Sequence, residues 1–244
     1  MTKQFQKAFF ALAALVTVAF PSVSGTLSGS KHDLTGLNTR AGVEAMTGLV
    51  FNDYRDPCIY CHVPSTVKGK TPSPSGGEIQ DWNRYFSTDA EVYQSPTLRG
   101  KVKGLGAESL ICLSCHDGSM AVDMVLTKPE NWNSNDESSM HMKLDSGGGL
   151  DRCTQCHDGT TAHKMDAVVI GKNLMDDHPV GVEYPSTFGN VDFHPPSSGG
   201  KFQNGIKLFQ GKVECATCHD VHNPDIVPFL RVERKSLCIT CHNK

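Results

Sequence analysis

The chain has 244 residues, a formal net charge of −3, and only 38% hydrophobic and 7% aromatic side chains. The mildly acidic balance argues against a nucleic-acid or anionic-membrane partner. The modest apolar fraction implies that something other than side chains helps to fill the interior.

Residues 1–25 read as a secretory signal peptide. Lys3 and Lys7 make a basic start, Ala8 to Phe20 an apolar run, and Pro21 to Gly25 a small-residue exit. The apolar run is about 13 residues, short of the ~20 that span a bilayer, and no cysteine near the exit marks a lipid anchor. Removing the two lysines takes the formal charge from −3 to −5. No later apolar run reaches spanning length, so residues 26–244 are expected to form one soluble, exported domain without a transmembrane segment.

His32 follows in SGSKHDLTG, and Ala41 to Leu49 has weak helical character. Then comes Cys58-Ile59-Tyr60-Cys61-His62, the turn-rich stretch TPSPSGGE at 71–78, and Cys112-Leu113-Ser114-Cys115-His116. His141 and the loop DSGGGLD at 145–151 precede Cys153-Thr154-Gln155-Cys156-His157, after which His163, His178 and His194 stand alone, the last opening HPPSSGGK. Cys215-Ala216-Thr217-Cys218-His219, His222 and Cys238-Ile239-Thr240-Cys241-His242 complete the chain. Short helices are expected over several of these five motifs, with Gly118 and Gly159 ending two of them.

All ten cysteines fall in the five Cys-x-x-Cys-His copies. A disulfide framework suits an exported chain, and paired cysteines also hold zinc, but neither needs a histidine after each pair. With 11 histidines in 244 residues, chance would place one at all five positions roughly once in five million. Covalent haem attachment explains each element. Two thiols one helical turn apart add to the two vinyl groups on a porphyrin edge, and the next residue offers its imidazole to the iron. The pattern predicts five c-type haems, bound through Cys58, Cys61, Cys112, Cys115, Cys153, Cys156, Cys215, Cys218, Cys238 and Cys241. His62, His116, His157, His219 and His242 are the expected proximal ligands. The expected fold is a multihaem cytochrome c, mostly loops with short helices wrapped around stacked haems and little β-structure, whose folding is coupled to haem binding.

Five irons require a sixth ligand, and six histidines remain: His32, His141, His163, His178, His194 and His222. They suffice for bis-histidine ligation throughout, which favours low potentials; the methionines are the alternative. His222 lies three residues beyond His219, on the same face of that haem, so it can only ligate a different one. His163, six residues beyond His157, is constrained more weakly in the same way.

The segment from Gly211 to Lys244 resembles the doubled CXXCH module of bacterial multihaem cytochromes in VECATCHDVHN, in Phe229-Leu230-Arg231 and in SLCITCHNK; the module is taken to occupy 205–244. LICLSCHDGSMAVD, from Leu110 to Asp123, and IGKNLMDDHPVGVEY, from Ile170 to Tyr184, are similar to the same family. The resemblance implies His178 and His222 as distal ligands. It departs at the first motif, where relatives often read CHTPH and this chain has CHVPS, so another histidine must serve there: His32 or one from a neighbouring subunit. Some relatives polymerise into extracellular filaments through an N-terminal histidine, which makes His32 a candidate inter-subunit ligand by analogy.

Three functions are compatible with this pattern. The first is an electron carrier, not an enzyme, in the periplasm or outside the cell, exchanging electrons with other cytochromes, a quinol-linked donor or an extracellular acceptor. The second is a filament subunit with the same chemistry. The third is a catalytic reductase, which requires an iron with an open site; pentahaem nitrite reductases supply one with a lysine-ligated haem and a far longer chain.

Overall fold

The computed structural model describes residues 27–35, 52–63, 82–129, 154, 157, 158, 160, 164, 168–185 and 191–243. The expected signal peptide, the helix at 41–49, the loops at 71–78 and 145–151, His141, His163, Gly159, Cys153 and Cys156 lie outside these residues. Seven elements are described: β1 (Glu91–Val92), α1 (Ala107–His116), β2 (Asn173–Leu174), β3 (Val182–Glu183), β4 (Lys212–Val213), α2 (Cys215–Cys218) and α3 (Arg234–Cys241). All three helices contain attachment cysteines.

The short strands act as brackets. β1 pairs with β2 in parallel, and β3 pairs with β4 antiparallel, with Val182 opposite Val213. On its other side β3 meets the chain entering α1: Val102 bridges Val182, Lys103 N donates to Gly181 O at 2.9 Å, and Glu183 N donates to Lys101 O at 2.9 Å. The chain at 101–103 runs into α1 and β4 runs into α2, so this three-stranded ribbon delivers two helices to one place. Gly118, at φ +76, lies just beyond the end of α1, in a conformation that costs a residue with a side chain.

A small apolar cluster of Tyr54, Ile59 and Tyr60, with Leu34 and Val125 against it, lies beneath the first motif. Among the described residues eleven hydrophobic side chains are buried and nine polar or charged ones, so hydrogen bonding to buried groups carries much of the cohesion. Asn83, fully buried, donates to the carbonyls of Ile59 and Thr127 at 2.9 and 2.8 Å and accepts from Thr127 N at 2.7 Å. Arg84 directs all five of its N–H donors at the carbonyls of Ser114, Ala121, Val122 and Met124 and the hydroxyl of Ser114.

Gly181 has φ +69, and a Cβ there would lie 2.8 Å from the Gly104 carbonyl carbon. Gly211 has φ +76 but open space around it. Gly211→Ala is therefore expected to cost about 1 kcal/mol through backbone conformation alone. Gly181→Ala should cost distinctly more, because the ribbon must also open, and thermal melting of the two variants side by side measures the difference.

Candidate functional site

Four attachment motifs are described in full, and three share one local plan. A helical turn brings the N–H of the motif histidine to the carbonyl of the first cysteine: His62 to Cys58 at 2.7 Å, His219 to Cys215 at 3.1 Å and His242 to Cys238 at 2.9 Å. Both thiols and the imidazole are thereby set on one turn. The chain then leaves extended, with His219 at φ −107, ψ 148 and His242 at φ −99, ψ 130. Each of the three histidines forms an antiparallel bridge with a distant hydrophobic residue: Trp82, Leu230 and Phe193 respectively.

The same carbonyl is held in every case. The residue after the bridge partner donates its N–H to the second cysteine: Asn83 to Cys61 at 2.8 Å, Arg231 to Cys218 at 2.9 Å and His194 to Cys241 at 2.9 Å. In the second motif, where the histidine ends α1, Ile170 and Gly171 donate instead to the His116 carbonyl. Arg231 strengthens the fourth site, donating to Ala216 O and to Asp220 Oδ2, both at 2.8 Å.

Ring tautomers follow from the acceptors. His116 Nδ1 lies 2.5 Å from Val168 O, His219 Nδ1 2.9 Å from Pro228 O, and His178 Nδ1 3.2 Å from Pro179 O. A carbonyl only accepts, so Nδ1 carries the proton and Nε2 keeps its lone pair for a metal. His222 Nδ1 stands 3.4 Å from Asp220 Oδ1, with the same consequence when the ring is neutral.

Three pairs of imidazoles face one another among the described residues: His62 and His222 with centroids 6.4 Å apart, His178 and His242 at 6.4 Å, and His32 and His116 at 6.1 Å. Two imidazoles on opposite sides of one iron have centroids about 6.2 Å apart, from about 2.0 Å per metal–nitrogen bond plus roughly 1.1 Å from nitrogen to ring centre. Rotation about the shared axis leaves the interplanar angle free, so the observed 26°, 74° and 57° all fit. Every pair joins one motif histidine to one outside any motif. His32 adds a second sign of fit: its buried Nδ1 has no hydrogen-bond partner. Burial, then His116 and His219 nearby, push its pKa down to about 4, which keeps the ring neutral and able to ligate. Phe229, at φ 60, sets its ring edge-on to His32 at 4.6 Å.

His32 thus faces His116, and His222 faces His62. His194 contributes its backbone to the fifth site, and its side chain is exposed. His157 is described, but the thiols of its motif are not.

The thiols converge as well. Cys112 donates to Cys215, which draws the Cys215 pKa down to about 7 and raises that of Cys112. Burial raises Cys61 to about 11, with Cys115 as the next cause, and raises Cys218 to about 11, with Cys241 next. Beneath Cys112 and Cys215 lies Glu214, fully buried: it accepts from Gly106 N at 2.9 Å and Ser109 Oγ at 2.5 Å and pairs with Lys212 at 2.7 Å. Sequence reasoning missed Glu214 and Arg84. Their available signals were a glutamate immediately before a motif and the recurrence of a hydrophobic residue, one spacer or none, and arginine in Trp82-Asn83-Arg84 and Leu230-Arg231.

Residues 208–244 match the family model described as the doubled CXXCH motif. That segment is a doubled CXXCH module of the kind found in multihaem c-type cytochromes. No curated protein matches the chain. Its CXXCH motifs are those through which c-type cytochromes bind haem covalently, and the usual chemistry of such haems is electron transfer. No helix among the described residues is long and apolar enough to cross a membrane.

Glu214→Gln keeps the shape but removes the charge opposite Lys212. It is expected to lower stability by about 3 kcal/mol, as for a broken buried ion pair. Denaturant titration followed by circular dichroism measures the loss, and an unchanged midpoint would reduce Glu214 to a bystander.

Proposed function

We propose that the protein is an exported pentahaem c-type cytochrome that carries electrons along mostly bis-histidine haems, in the periplasm or to extracellular acceptors. The observation that carries this reading is the set of three imidazole pairs at 6.1 to 6.4 Å. When bound, the haem irons supply reversible one-electron chemistry. The chain's contribution is to hold them. Ten cysteines anchor the porphyrin edges, the motif histidines take one face, and His222, His32 and His178 take the other face at the first, second and fifth sites. For the third and fourth sites the remaining candidates are His141, His163 and His194.

An iron held from both sides offers no place for a substrate, which favours a carrier over a reductase. Backbone carbonyls on Nδ1 of His116, His219 and His178 fix these rings and make them stronger donors. Export is supported by the basic and apolar start of the chain and by the requirement that thioether attachment takes place outside the bacterial inner membrane. The redox partners are other cytochromes, a quinol-linked donor or an external acceptor. A chain that supplies both histidines at three sites has no need of a partner subunit there, which favours a discrete particle over a filament.

Intact mass of protein made in a strain competent for cytochrome maturation should exceed the mature chain by five haems, with low-spin spectra that carbon monoxide leaves unchanged. A mass without haem would end the proposal. His222→Met should raise the potential of the haem at Cys58 and Cys61 by on the order of 100 mV, since methionine ligation raises potentials. A shift confined to the haem at Cys215 and Cys218 would contradict the pairing. Size-exclusion chromatography should give one discrete species, whereas polymers would favour the filament.

A further inference from the structure

We infer that the second and fourth attachment sites are direct neighbours, so that the four described sites stand in the spatial order first, second, fourth, fifth, with no haem between the second and the fourth. The inference rests on the multihaem reading above and adds to it a path that the chain order does not give.

The first and second sites are joined by two consecutive residues. Asn83 holds the carbonyls of Ile59 and Cys61, and Arg84 holds the carbonyl and hydroxyl of Ser114, at the centre of the second motif. The second and fourth sites touch directly. Ser109 Oγ donates to Glu214 Oε2 at 2.5 Å and accepts from Cys215 N at 2.9 Å. The fourth and fifth are spanned by Tyr184, whose N–H donates to Gly211 O at 2.8 Å and whose hydroxyl donates to Cys241 O at 3.1 Å.

The contact between the second and fourth sites decides the order. Chain order would place the third haem between them, yet Ser109, Glu214 and Cys215 are hydrogen-bonded to one another across that junction, leaving no gap of porphyrin size. Cys112 lies three residues, about one helical turn, beyond Ser109 on α1, so the same junction brings the two attachment edges together. His222, three residues from the fourth motif, faces His62 of the first and ties the same cluster from another side. Electrons can pass from the first site to the fifth without visiting the third.

The test locates the irons of the native holoprotein by anomalous scattering from crystals, with intact mass establishing haem content beforehand. The expected result is five irons, with those over His116 and His219 as neighbours and the iron over His157 outside the space between them. Five haems with the His157 iron lying between those two would overturn the order and leave the carrier reading intact. A mass without haem would overturn both.

Discussion

The backbone hydrogen bond from a motif histidine to the carbonyl of its first cysteine is the constraint on which the rest depends. It closes a single helical turn, and only on such a turn do two thiols and an imidazole face one porphyrin edge and its iron. A turn this short is unstable alone. Three of the four described turns are accordingly braced from elsewhere in the chain, by a bridge at the histidine and a donor to the second cysteine's carbonyl, and the other is carried by α1 and held at the His116 carbonyl. The fold can be described as a set of fragile turns, each supported by a segment from a distant part of the sequence.

This arrangement explains the economy of the protein core. Eleven buried hydrophobic residues against nine buried polar or charged ones, among those described, make a core with a large polar share. Buried polar residues supply the direction that apolar packing lacks. Arg84 organises the loop at 121–124 around the second motif, and Glu214 fastens the starts of α1 and α2 together. Porphyrins, as large apolar plates, would supply the remaining area.

What was legible in the sequence was what is local. The five-residue motif encodes its own turn, and His222 could be excluded from its neighbouring haem because three residues fix its side. His62 and His222 could not be paired from sequence, since the 159 intervening positions carry no periodicity that links them. His32, one of the two replacements that the sequence offered for the missing ligand at the first motif, packs beside Phe229 and His116 instead. Arg84 stands in an irregular stretch, and only the convergence of four carbonyls gives it an interior role.

The pairing of His62 with His222 also bears on how such a protein is made. A chain made from its N-terminus presents its first motif early, but the histidine that faces His62 follows only 160 residues later. On the proposed reading, a haem held at Cys58 and Cys61 would lack its second histidine until the module at 208–244 folds against it. That module would then act as a latch on the first site, and a chain truncated before it would carry a first haem open to small ligands.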